Sequence, residues 1–365
     1  MQNPGKASAF IIAISALLGC KGNSMPWTKR PIPDIGHLRT NCLLLTKDGS
    51  GYCGGSIFSD ASSMELNPGK ALSMDSSVLY ETRNDWLDRR QVFKGNGEIV
   101  ALFRTGSDDA VAQNIRNDAA DFHESVHFIA RKMDDWKEVS KLELRGSRVW
   151  GSEGRWLLAA GYPEFTNDPV SIYVSADGGM NWQATTLAGY NPLAGGRDKP
   201  LYLDPEGNFF RVEKRHLEKL AVNRMDGSAT WEAYGEIPIN FQPLALSGAR
   251  KTVWAFGTLP DSKFALVRFD NGAATVKETR GLPAGFLCKT FNCSDNSFYL
   301  VGAIEMKKGT ETVGFKKLMF ESKNLGDSWS DLELPISGSL QAYDFGSDGR
   351  VWAGAAGNRI QVLVR

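Results

Sequence analysis

Net charge is the first thing this chain lacks: 42 Lys and Arg offset 42 Asp and Glu over 365 residues. Such a balance leaves no basic footprint for phosphates, so nucleic acid is not an expected partner. Histidines number only four and cysteines five, and no two cysteines stand at the CxxC spacing of structural zinc motifs, so no cofactor is expected. Long apolar runs are missing too. The one at residues 9–18 is too short to span a bilayer.

Glycine, by contrast, is abundant at 38 and tryptophan at 10, with 42% apolar residues overall. Recurrent turn-type dipeptides complete a composition suited to many short strands joined by tight turns.

A lysine, the apolar run and then Gly19-Cys20 read as an export signal. Leu17-Leu18-Gly19-Cys20 resembles the lipobox of bacterial lipoproteins. The resemblance implies cleavage after residue 19 and lipid on Cys20, with several acyl chains making a firm anchor. Lys21, where an aspartate would favour inner-membrane retention, points to the outer membrane, facing the periplasm. The other cysteines, Cys42, Cys53, Cys288 and Cys293, form an even set as in exported proteins. Cys42 and Cys53 flank a hairpin pattern, "CLLLTKDGSGYC", and Cys288 and Cys293 bracket "CKTFNC". Four cysteines allow three pairings, and the spacing does not choose between them.

Two stretches share one layout. "SADGGMNW" places Ser175, Asp177, Gly179 and Trp182 after an alternating strand, and "SKNLGDSW" places Ser322, Asn324, Gly326 and Trp329 likewise. Both resemble the Asp-box, S-x-D-x-G-x-x-W, of sialidases and other BNR-repeat β-propellers. Weaker copies surround Asp226 with Trp231, Asp270 with Gly272, and Trp136, so that box ends recur at a blade-like period. A second series of turns, including the near-copies "GSEGRWLLAAG" and "GSDGRVWAGAAG", falls between the boxes. Two landmarks in step predict an all-β propeller of four-stranded blades. Counting the irregular segment 54–85 as a blade gives seven; leaving it out gives six. The final strand, "RIQVLVR", calls for an N-terminal strand to close the ring, and "RTNCLLLT" is the candidate. The expected division is therefore a signal at 1–19, a tether at 20–36 and one propeller at 37–365. In the box, the Asx side chain would accept otherwise unpaired backbone N–H groups, and the tryptophan would fill a gap between blades. These are structural roles.

His123-Glu124-Ser125-Val126-His127 reads HExxH, the zincin signature. On a helix the histidines would lie ~6 Å apart and could share a metal. The segment, however, aligns without a gap on the strand before Ser175, and four residues along a strand separate them by ~13 Å. His37 and His216 offer no third ligand, so zinc metalloprotease is a remote alternative. The sialidase resemblance would imply an arginine triad, a Tyr/Glu nucleophile and an aspartic acid catalyst. The nearest string to its F/Y-R-I-P motif is "RPIP" at residues 30–33, and no arginine carries over. "RVEKRHLEKL" reads as a solvated blade edge. The segments 106–124, 195–199 and 304–317 read as long loops able to bind. The expectation is a lipid-anchored, non-catalytic module for a protein partner in the cell envelope, as in propellers assisting photosystem assembly or inhibitor and immunity proteins. A sialidase-like glycoside hydrolase, with a glycan ligand, is the alternative.

Overall fold

A computed structural model describes residues 27–31, 38–46, 50–58, 74–106, 109–118, 123–132, 135–151, 154–163, 170–185, 200–222, 229–249, 251–294, 297–335, 340–346, 349–355 and 361–365. The signal, Cys20 and segment 195–199 lie outside the described residues, as do residues 223–228 with Asp226.

The described strands form seven four-stranded antiparallel sheets. A short strand, β1 (Thr28–Pro31), precedes them. Blade 1 is β2 (Leu38–Leu45), β3 (Gly51–Phe58), β4 (Met74–Thr82) and β5 (Arg90–Gly95). Blade 2 is β6 (Glu98–Arg104), β7 (Ala110–Asp118), β8 (His123–Lys132) and β9 (Asp135–Leu142). Blade 3 is β10 (Arg145–Gly151), β11 (Leu157–Tyr162), β12 (Ser171–Ser175) and β13 (Gln183–Thr185). Blade 4 is β14 (Leu201–Leu203), β15 (Phe209–Glu213), β16 (His216–Val222) and β17 (Ala229–Glu236). Blade 5 is β18 (Gln242–Ala249), β19 (Thr252–Thr258), β20 (Phe264–Asp270) and β21 (Ala273–Glu278). Blade 6 is β22 (Leu287–Cys293), β23 (Phe298–Lys308), β24 (Glu311–Ser322) and β25 (Ser330–Asp331). Blade 7 is β26 (Leu340–Phe345), β27 (Val351–Ala355) and β28 (Gln361–Val364), completed by β1.

Hydrophobic burial follows the blades. Among the described residues seven apolar clusters form, and each straddles one blade junction. The cluster of Leu45, Val78 and Trp86 with Ala342, Trp352 and Val364 joins blade 1 to blade 7, so the ring is closed. First strands touch first strands of neighbouring blades, which places β2, β6, β18, β22 and their equivalents around the axis.

The closing strand is not the expected one. β1 pairs with β28, Thr28 opposite Val364 and Pro31 opposite Gln361. "RTNCLLLT" instead supplies β2, which pairs with β3 as the innermost strand of blade 1. The apolar alternation of that segment fits both places; burial decides, because Leu43 and Leu45 fill the junction with blade 7. Part of the expected tether is thus blade, and "RPIP" begins in β1. Trp27, just before β1, donates from Nε1 to the Leu332 carbonyl at 2.7 Å and ties this end to blade 6.

A polar clamp recurs at two junctions. On blade 6, Tyr299 lies opposite Glu321, donating at 3.2 Å, while Arg365 from blade 7 reaches Glu321 at 3.0 Å. On blade 1, Tyr52 lies opposite Glu81, and Arg131 from blade 2 reaches that carboxylate at 3.3 Å. The Arg365 and Glu321 side chains are only 7% and 6% exposed, so removing one partner strands a buried charge. Arg365→Ala should cost about 3 kcal/mol or more in urea unfolding, by the usual penalty for breaking a buried pair. Replacing both residues with apolar ones should recover part of that loss.

Candidate functional site

The two boxes fold alike at the turn between third and fourth strands. Ser175 Oγ accepts the Gly179 N–H at 2.8 Å, and Ser322 Oγ accepts that of Gly326 at 2.9 Å. Asp177 Oδ1 accepts the Asn181 N–H at 2.9 Å, and Asn324 Oδ1 that of Ser328 at 3.0 Å. Gly179 and Gly326 both sit at positive φ, 86° and 85°. The Trp182 ring lies tilted with its centroid 4.5 Å from that of Phe128 of blade 2, and Trp329 packs 6.4 Å from Phe256 of blade 5. The site residues picked from these motifs hold turns and junctions.

A third turn of this kind lies at residues 82–88. Thr82 Oγ1 accepts the Trp86 N–H at 2.9 Å, and Asn84 Oδ1 the Asp88 N–H at 2.7 Å. Trp86 holds the glycine place at φ 68°, a costly conformation for a bulky residue. Burial offsets the cost: the ring is 1% exposed and meets Trp352 at 5.3 Å. A search for glycine passes over it. Thr-x-Asn at the end of an alternating strand is the signal that remains.

The four propeller cysteines are thiols. Cys53 lies opposite Leu43 and packs towards blade 7, whereas Cys42 packs towards blade 2. The two therefore face opposite sides of their sheet and cannot meet. Cys288 and Cys293 share one strand, five residues or ~16 Å apart, beyond disulfide reach. Burial pushes the Cys53 and Cys288 thiols up to about 12, which keeps them protonated and unreactive.

The HExxH segment is β8, as the strand alignment predicts, with His127 opposite Asn114 and His123 opposite Asp118. Among the described residues no three His, Cys, Asp or Glu gather as metal ligands. His127 has other partners: Ser125 Oγ stands 2.9 Å from Nε2 and Glu138 Oε1 2.9 Å from Nδ1. Arg116, opposite Ser125, pairs with Glu138 at 3.0 Å. Burial holds His127 below its ordinary range, against the pull of Glu138.

Segment 106–124 is not a long loop, because β7 and the start of β8 occupy most of it. Nor is "RVEKRHLEKL" simply solvated. Arg211 is buried, bonds Glu218 at 2.7 Å and lies 4.0 Å over the Trp231 ring. Segment 304–317 does project. β22 pairs with β23 only as far as Ala303, and β25 pairs with β24 only at Phe320 and Glu321. The rest of β23 and β24 forms a two-stranded ribbon that turns at Lys308 and Glu311. Val313 and Phe315 are 58% and 56% exposed on it, and Met306 is exposed as well.

Comparison with solved structures places the chain among β-propellers. YCF48 from Cyanidioschyzon merolae is 12% identical, TM-score 0.53, over 92% of this chain and 98% of that one. A structure described as YCF48 bound to D1 peptide gives 13% identity and TM-score 0.50, covering 93% of this chain and 94% of that one. Prolyl oligopeptidase B from Galerina marginata is 10% identical, TM-score 0.54, over 88% of this chain but 47% of its own. At these identities the likeness is one of fold. No family model matches the chain. No curated protein matches it either.

The box carboxylate makes the acid behaviour testable. Burial raises the Asp177 pKa, but bonds from the Asn181 backbone and side chain, Ser175 and Met180 outweigh it, so the net shift is below 3.8. A depressed folded pKa gives stability that is present above pH 3.8 and lost as pH falls through the folded value. Asp177→Asn, which copies Asn324, should keep the fold at pH 7 and flatten the acid end of the stability–pH curve. The cysteines give a second test. Unfolded without reductant, the protein should show four titratable thiols from residues 42, 53, 288 and 293.

Proposed function

We propose that this chain is a lipid-anchored module of the cell envelope whose propeller holds a protein partner, and that the β23–β24 ribbon is the docking element. The carrying observation is the ribbon itself, a projecting pair of strands with open edges and exposed Met306, Val313 and Phe315. Open edges can add an extended segment of another chain by backbone hydrogen bonds, and side chains on alternate positions then select it. Binding of a peptide by a propeller of the same fold, in the YCF48 structure bound to D1 peptide, supports the reading.

Strand direction gives the anchor a matching geometry. In each blade, the first-to-second and third-to-fourth turns share one end of the disc, and the ribbon turn, second to third, lies at the other. β1 is a fourth strand running antiparallel to β28, so Thr28 emerges at the box end. An anchor at Cys20 would hold that end to the bilayer and turn the ribbon towards the periplasm.

Val313→Asp and Phe315→Asp should leave the melting temperature nearly unchanged, since both side chains are exposed. Each should lower recovery of the stoichiometric partner from detergent-solubilised envelope at least tenfold. Undiminished recovery with native melting would discard the ribbon as the docking element. Cys20→Ser should release the protein from the membrane fraction.

A further inference from the structure

We propose that Ser125, His127 and Glu138 form a nucleophile–base–carboxylate relay that gives the protein an acyl-transfer activity towards small esters. The order of contacts is the one such a relay needs. The serine hydroxyl is 2.9 Å from His127 Nε2, and a Glu138 oxygen is 2.9 Å from Nδ1 on the far side of the ring. Glu138 stands at that distance from Nδ1 without an aligned hydrogen bond, as resting relays often do before substrate tightens them; with the ring proton on Nδ1, Nε2 is left to accept the Ser125 proton. Burial favours the neutral ring, the form a general base requires.

The backbone builds this arrangement. Ser125 and His127 are two apart on β8 and point to one face. The ladder between β8 and β9 then slips, Phe128 opposite Ser140 but Ile129 opposite Glu138. That extra residue swings Glu138 onto the face of His127; bulges often re-aim a side chain in this way beside active sites. On the other flank Arg116 stands opposite Ser125, and its Nε is buried with no hydrogen-bond partner. A guanidinium there suits the negative oxygen that develops when a carbonyl is attacked. Asn114, beside His127 on β7, is held by Ser77 and the Asn96 carbonyl, and Lys141 on β9 adds a further positive charge near the ring.

The reaction balances without a co-reactant other than water. Ser125 Oγ bonds to the ester carbonyl carbon as its proton passes to His127 Nε2. The carbon–alkoxide bond breaks, and His127 returns the proton to the departing alcohol. Water then attacks the acyl-serine, giving a proton to His127 and releasing the acid as Ser125 recovers its hydrogen. Ser125 is only 9% exposed, so a small ester is the substrate to test first.

The test uses the full-length protein in detergent with a small fluorophosphonate and with p-nitrophenyl acetate. The expected result is one phosphonylated residue, Ser125, mapped by tandem mass spectrometry, and ester hydrolysis that Ser125→Ala abolishes. His127→Gln should slow labelling 100-fold or more, the usual scale of a general base. Phe315→Asp should label normally, which separates this site from the ribbon. A natively melting wild-type protein with no adduct at Ser125 overturns the proposal. Equal hydrolysis by a folded Ser125→Ala variant does so as well. Adduct mapping on the unmutated chain decides the matter should the variants not fold.

Discussion

A blade of this protein has two apolar faces and cannot bury either alone. Leu43 and Leu45 on β2 turn towards blade 7, while Cys42 and Leu44 turn towards blade 2. Each sheet is therefore a wall shared by two cores, and the seven cores form a ring with no free end. Everything else is set by that demand. The boxes place rings between blades at their outer margin, and the clamps of Tyr299, Glu321 and Arg365 or Tyr52, Glu81 and Arg131 put paired charge where water is excluded. An arginine from the next blade helps to compensate each buried carboxylate, alongside Arg90 on Glu81 and Lys323 on Glu321 from their own blades.

Much of the architecture could be read from residue spacing, because repetition gives one motif several chances to be seen. Ser175 with Trp182 and Ser322 with Trp329 mark the same turn in blades 3 and 6, and the geometry agrees to about a tenth of an ångström in the serine bonds. What escaped was whatever broke the local pattern. Trp86 stands where glycine belongs, so the blade 1 turn was invisible. β1 is four residues long, with a proline, and nothing local marks it as a strand. The Tyr–Glu–Arg clamps join residues 66 and 79 positions apart through Arg365–Tyr299 and Arg131–Tyr52, and single-chain periodicity carries no trace of such pairs.

The chemistry was legible in part. Reading 123–127 as a strand removed the metal geometry, yet the same alternation placed Ser125 and His127 side by side, and only the slipped ladder at Ile129 supplied Glu138. Cys42 and Cys53 show the reverse case. Their hairpin exists, but pairing of Leu43 with Cys53 sends the two sulfurs to opposite faces. Adjacent strands are not enough for a bridge; parity along them decides.

The four-residue β1 has a consequence for how the chain is made. Its partner β28 is the last of the described strands, so the first of them to be synthesised waits for the last. Every other blade can assemble from neighbouring sequence, whereas blade 7 needs a contact spanning more than 330 positions. Such contacts form late and slowly. Until β1 and β28 meet, β28 keeps an open edge and the ring keeps a gap. Chaperone protection would matter most at that seam.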